Sequence, residues 1–296
     1  MATLKGQNFR IFWGSNVFGG ATNCTVNLTN NTDDTAVKDD AGAFSKPQVT
    51  TKSWSITVDA LNISDISMFL SNVNSGTSFP VFWTETSGSN NQTPEEVDFA
   101  RTGNAIVTDF TFTCNDRENS VKNVTFTGVG GITELSNPPV ASGSVSFTKG
   151  QYVRLYLSKD NTALPLKVIA SAKQLSFHVS VSLEDNSTKD TPGDWTFQEA
   201  ASISYDISSS ALVRANDDIT SAIGGQTLND LIEIYEAGTP VKWFIANTSG
   251  DNQRTPGSKI VSGSALISSL NISSSVKQAV TYQTQLTGYG AYTVGS

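Results

Sequence analysis

The run Leu175-Ser176-Phe177-His178-Val179-Ser180-Val181-Ser182-Leu183 alternates apolar and polar residues without a break. Period two puts Leu175, Phe177, Val179, Val181 and Leu183 on one face of a strand, so one face is buried and the other is wet or meets a partner. Shorter runs of the same kind are Val107–Thr113, Val124–Thr127 and Trp54–Val58, with Ile203–Ile207 as the counterpart of the last. Two segments break the alternation. Ser64 stands where a cap precedes Ile66, Phe69, Leu70 and Val73, and Thr227 precedes Leu228, Leu231, Ile232 and Tyr235. Both sets follow i, i+3, i+4, i+7, one apolar stripe of a short helix. Gly76 and Gly238 follow where a left-handed helix stop is expected.

These paired features belong to an internal repeat. Lys5-Gly6-Gln7 recurs as Lys149-Gly150-Gln151, and Lys38-Asp39 with Phe44 recurs as Lys189-Asp190 with Trp195. Further on, Pro80-Val81-Phe82-Trp83 matches Pro240-Val241-Lys242-Trp243, and Thr127-Gly128-Val129-Gly130 matches Thr287-Gly288-Tyr289-Gly290. Matches in one order at a slowly drifting offset mark a duplicated unit. The expected organisation is a first domain over 1–136, a linker over 137–145 carrying Pro138-Pro139, and a second domain over 146–296. The expected fold class is mainly β: two tandem, similar β-sandwich or barrel domains, each with one short α-helix.

Between the early strands of each unit lies a long polar stretch, Asn30–Lys52 and Glu184–Ala200. Stretches of this length inside compact domains read as functional or disordered loops. Each carries Lys-Asp followed by an aromatic, and an aromatic near a loop tip needs a surface to pack on, with another subunit the natural candidate.

Composition narrows the chemistry. The chain has 296 residues, one His, two Cys and a net charge of −8, with Ser, Thr and Asn making up about a third. One His leaves no room for a multi-histidine metal site, and two Cys without C-x-x-C read as free thiols. The acidic balance argues against a nucleic-acid-gripping surface. Neither a signal peptide nor a membrane-spanning run is apparent. Asp33, Asp34, Asp39 and Asp40 lack the spacing of a calcium loop and read as a solvated acidic loop. Glu95, Glu96 and Asp98 are adjacent loop carboxylates. Gly128-Val129-Gly130-Gly131 and Gly288-Tyr289-Gly290 do not fit a phosphate-binding loop and read as bends or bulges near a strand end. His178 reads as a surface or interface residue. No cofactor, metal or catalytic residue is expected.

The polar loops with Lys38-Asp39 and Lys189-Asp190, the aromatic after each, and Lys52-Ser53-Trp54-Ser55-Ile56-Thr57-Val58-Asp59-Ala60-Leu61 form a series. It continues through a short helix, a Trp strand (Trp83, Trp243) and a Gly-centred strand (Gly103–Val107, Gly263–Ile267) to the Thr-Gly-x-Gly end. This order resembles the tail tube (major tail) proteins of long, non-contractile-tailed bacteriophages, with Ile203 standing in the second copy where Trp54 stands in the first. The resemblance implies a non-enzymatic virion protein, made in the host cytoplasm, whose domains form six-fold rings stacked into a tube. A duplicated chain would close the ring as a homotrimer. Its partners would be copies of itself, the tail initiator or tip, the tape-measure and the tail terminator proteins, with DNA only in transit and no membrane binding. Contacts between subunits and rings would fall on Lys38, Asp39, Phe44, Lys189, Asp190 and Trp195.

The first unit with the linker holds eight basic and 14 acidic residues, the second 11 and 13, so both are acidic. In a tube, carboxylates on the lumen would repel passing phosphates. The alternative reading is a tandem carbohydrate-binding or adhesin-type β-sandwich, which requires Trp83 and Trp243 in exposed grooves. A hydrolase with paired carboxylates would need a deep acidic cleft.

Overall fold

A computed structural model of the chain describes residues 4–14, 16–38, 45–61, 65–87, 93–95, 97–136, 138, 147–158, 167–191, 193–213, 225–249 and 255–295. The first half contains β1 (Phe9–Trp13), β2 (Asn16–Val17), β3 (Ala21–Asp34), β4 (Pro47–Ala60), α1 (Ile66–Ser75), β5 (Phe79–Ser87), β6 (Thr93–Pro94), β7 (Arg101–Asn115) and β8 (Val121–Glu134). The second contains β9 (Val153–Leu157), β10 (Lys167–Val168), β11 (Ala172–Asp185), β12 (Gln198–Leu212), α2 (Leu228–Ala237), β13 (Val241–Ser249), β14 (Thr255–Ser273), β15 (Thr281–Gly288) and β16 (Thr293–Val294). The protein is mainly β, with one helix in each half among the described residues.

The strands pair antiparallel in the order β2-β1-β5-β7-β8-β4-β3, and then β10-β9-β13-β14-β15-β12-β11. The second order repeats the first, element for element. Even the irregularities repeat: β7 bulges between Val107 and Asp109, and β14 between Ile267 and Ser269. A bulge bends its strand, and here it falls where each long strand leaves its first neighbour.

Helix α1 buries Ile66, Phe69, Leu70 and Val73. Phe69 is the centre of the first core, with ring centroids 4.6 Å from Trp13, 5.0 Å from Phe18 and 6.1 Å from Phe110. Gly76 and Gly238 both sit in the left-handed region, at φ 60 and 59, and end their helices. Ser64 lies outside the described residues. The N-cap of α1 is Asp65, whose carboxylate turns away from the helix to the buried Lys122. Thr227 does cap α2, in a capping box with Asp230. The stripe of α2 differs from the expected one, because Leu231 and Ile234 are buried while Tyr235 is 51% exposed.

The polar stretches differ from the expectation only at their ends, where β3 and β4, and β11 and β12, run into them. β3 and β4 stay paired from Asn30↔Lys52 to Asp34↔Pro47, and β11 and β12 to Asp185↔Gln198, with a register shift at Asn31/Thr32 and the matching one at Ser182/Leu183. Apolar alternation fades there because the ribbon has left the core. Ladder hydrogen bonds and polar cross-strand pairs, such as Asn31 Nδ2 donating to Thr51 Oγ1 at 2.8 Å, hold it instead. The expected irregularity near the strand ends falls at Gly130 and Gly290, at φ 72 and 73, where the β7–β8 register shifts between Val129 and Thr133, while Gly128 and Gly288 are ladder residues. A Cβ on Gly128 would stand 2.1 Å from the Trp54 indole, and one on Gly288 2.6 Å from the Tyr205 ring. Tyr205, not Ile203, therefore occupies the place of Trp54. Trp54 donates to Gly130 O at 3.0 Å and Tyr205 to Ser264 O at 2.6 Å, whereas Ile203 is 38% exposed. A residue that must cover a glycine-lined hollow is chosen by ring shape, so Trp and Tyr exchange where Ile does not.

Trp83 and Trp243 are both buried in strands. Trp83 lies 6.0 Å from Trp54 and Trp243 5.6 Å from Tyr205. The exposed grooves that the carbohydrate-binding reading needs are not formed by these residues.

Candidate assembly interface

The two half-sheets are joined edge to edge. Beyond its pairing with β5, strand β7 runs on and pairs antiparallel with β11, from Asn115↔Gln174 to Asp109↔Ser180. One face of this seam is apolar. Phe112 opposes Phe177 with ring centroids 5.5 Å apart, and Phe110 opposes Val179, all fully buried. The other face is polar, with Ser176 Oγ 3.2 Å from Thr113 Oγ1. The alternation in Leu175–Leu183 thus serves two sheets at once.

His178 sits on the polar face between two carboxylates. Its Nε2 lies 2.8 Å from Asp109 on β7, and its Nδ1 2.9 Å from Asp206 on β12. Partial burial opposes its charge, but the hydrogen bonds and charges of Asp109 and Asp206 outweigh that and raise its pKa above 6.5. A histidine with a raised folded pKa adds stability that is fully present below about 6.5 and lost as pH rises through the folded value. Wild-type protein should therefore lose thermal stability between pH 6 and pH 8 relative to His178→Gln, by on the order of 2 °C for a pair this solvated. Parallel melting curves at the two pH values check this. An identical pH response in both proteins would refute it.

Around the seam, second-half elements cover first-half surfaces. The segment 193–197 lies against β4 and β8. Lys52 N donates to Asp194 O at 2.6 Å, Thr196 N to Lys52 O at 3.1 Å, and Gly130 N to Thr196 O at 2.8 Å. Ring atoms of Trp195 and Phe197 come within 3.0 and 3.1 Å of where Cβ atoms on Gly131 and Gly130 would stand. Tyr292 packs on α1, donating to Leu70 O at 3.0 Å and accepting from Asn74 Nδ2 at 3.2 Å.

Of the six residues expected at contacts, Trp195 is half-buried against the first half of its own chain. Lys38 is exposed near the tip of the β3–β4 ribbon, and Lys189 and Asp190 are exposed in a turn at the β11–β12 tip. Asp39 and Phe44 lie outside the described residues, as do Asp40 and Glu96. Acidic residues at the ribbon ends have local work. Asp34 Oδ1 accepts from Lys46 N at 2.9 Å and Ala36 N at 3.0 Å, which holds its carboxyl below the usual range. At the equivalent ribbon end, Asp185 Oδ1 accepts from Ser187 Oγ at 2.5 Å and Ser187 N at 2.9 Å, with the same consequence. These are turn-closing aspartates rather than a free acidic cluster. Glu95 accepts from Ser87. Both cysteines are free, with thiols pushed up to about 11 by burial. Sequence reasoning missed the seam itself. Its one signal was a polar strand face carrying the chain's only histidine.

Two like sheets fused through a strand edge define a sheet-edge assembly module. The model of the family described as "Phage tail tube protein" matches residues 148–294. Solved structures similar to half of this chain include the tail of an empty gene transfer agent particle (16% identity, 99% of that chain, TM-score 0.39). Others are the virion of a native gene transfer agent particle (16%, 99%, TM-score 0.37) and the SPP1 tail tube (17%, 78%, TM-score 0.37). No curated protein matches the chain significantly. Through its second half the chain belongs to the phage tail tube protein family. It is a structural, non-enzymatic component of the virion tail.

Proposed function

We propose that each chain supplies two tube domains, 1–136 and 146–296 joined by 137–145, and that three chains close a pseudo-hexameric ring. Rings stack into the conduit through which DNA leaves the particle. The observation that supports this is the repeated strand order with its halves joined at β7 and β11. A join that links one unit to the next in one direction is heterologous, and it closes into a ring when the rotation per step divides a full turn. Stacking uses the β3–β4 and β11–β12 ribbons, with Lys38, Asp39, Phe44, Lys189, Asp190 and Trp195 at or near their ends. The tail initiator, tape-measure and terminator proteins bound the tube. Its polar sheet face and acidic charge let DNA slide without persistent phosphate contacts.

Native mass spectrometry of assembled rings should give three times the 31.5 kDa subunit mass. Electron microscopy should show six lobes per ring in two alternating kinds. A particle with six chains per ring, or a protein that forms neither rings nor tubes, would sink this reading.

A further inference from the structure

The internal seam uses one copy of each of two edges, and the chain holds a second copy of both. Among the described strands β3, the counterpart of β11, pairs only with β4. The end of β14, the counterpart of the β7 segment in the seam, pairs with β15 on one side and with no described strand on the other. We infer that β3 of one chain pairs antiparallel with Ser269–Ser275 of the next, in the register of the internal seam. This rests on the ring reading above and names the contact that closes it.

The register follows from two constant offsets, 151 residues between β3–β4 and β11–β12, and 160 between β7–β8 and β14–β15. Applied to the seam, they place Leu28 opposite Leu270, Asn27 opposite Asn271 and Val26 opposite Ile272. Apolar residues then meet apolar ones on one face, and two amides meet on the other.

Exposure supports this placement. Leu28 is 60% exposed and Ile272 54%, whereas their counterparts Val179 and Phe112 in the seam are fully buried. Large apolar residues on a strand edge are a liability unless a partner covers them. The covering elements repeat the argument. Gly76 and Gly130 are contacted by Ala200 and Phe197, while Gly238 and Gly290, with the same left-handed backbone, have open space where a Cβ would point. Tyr235 on α2 corresponds to Val73 on α1, which is buried beside the Tyr292 contact. The groove lined by Ile203, Tyr205, Gly288 and Gly290 corresponds to the surface on which 195–197 rests in the first half. The occupant is a second copy of this chain, because β3, the counterpart of the strand that fills the internal seam, is the exposed edge it presents.

The test uses the full chain with Cys24→Ser, Asn27→Cys and Asn271→Cys. Directly opposed residues have Cα atoms about 4.5–5.5 Å apart, inside the range a disulfide spans. Residue 275 lies four residues further on, past the end of β14 at Ser273, so Asn27→Cys with Ser275→Cys is the register control. Mild oxidation of concentrated, assembled protein should give a covalent trimer for the 27/271 pair and no cross-link for the 27/275 pair. Leu28→Lys and Ile272→Lys, at exposed positions, should each weaken assembly at least about tenfold with melting temperature unchanged, one lost edge contact costing about 1.4 kcal/mol or more. Rings by electron microscopy without the 27/271 cross-link would overturn this register and leave the ring reading standing. Absence of rings from the unmodified chain, with no effect of either lysine, would overturn both.

Discussion

Phe177→Ala is expected to destabilise the protein by about 3–5 kcal/mol, the usual cost of emptying a fully buried aromatic site. Its ring is the point where the two halves meet. It faces Phe112 across the seam, and lies 5.7 Å from Trp243, 6.0 Å from Tyr205 and 6.0 Å from Tyr292, which itself packs on α1. Truncation removes partners from both cores at once. Beyond a Tm lower by roughly 10 °C, the urea transition should split, because the coupling between halves weakens more than either core does. Tryptophan fluorescence and far-ultraviolet dichroism followed together would resolve the split. A single coincident transition with a loss under about 1 kcal/mol would show that the seam contributes contact without packing energy.

Asp65→Ala should be comparably damaging, at about 3–5 kcal/mol, for an electrostatic reason. The Lys122 side chain is fully buried, packed 4.9 Å from the Phe69 ring centroid and 5.2 Å from that of Phe18, and Asp65 is its ion-pair partner. Burial pulls the ammonium pKa below 10.5 despite Asp65, so the charge is held at a cost. Removing the carboxylate leaves that charge unpaired. Lys122→Met in the same background should recover most of the loss, since a neutral side chain of similar volume needs no partner. The second half already uses a neutral solution: Tyr282 occupies the position of Lys122, and Thr227 that of Asp65, where it caps its helix. Chemical denaturation of the single and double variants forms the test cycle. A double variant as unstable as Asp65→Ala alone would refute the pairing argument.

How much of this was legible beforehand depended on how local the cause was. The helix stop at Gly76 and Gly238 depends on one backbone conformation that glycine adopts freely, so the sequence alone marks it. The capping box at Thr227 and the strand face of Leu175–Leu183 are equally local, as is the repeat that carries the β-rich class. The stripe of α2 was less so. Tyr235 fits the helical period, but its counterpart Val73 is buried only beside a second-half residue, so periodicity could not show that Tyr235 stands exposed in a single chain. The strand ends at 30–34 and 47–52 were hidden because strands outside a core carry no apolar alternation.

The choice of Tyr205 over Ile203 as the partner of Trp54 was also out of reach, since both fit an alternating strand and only the glycines beneath, on β14 and β15, discriminate. The sequence by itself determined the internal repeat, the β-rich class and the local punctuation, because those rest on periodicity and backbone preference within a few residues. Only the tertiary structure decided that β7 runs on to meet β11, that His178 lies between Asp109 and Asp206, and that β3 and the end of β14 keep an edge unpaired among the described strands. Strand pairing joins residues far apart in sequence, and the same alternating pattern suits any neighbour until the fold selects one.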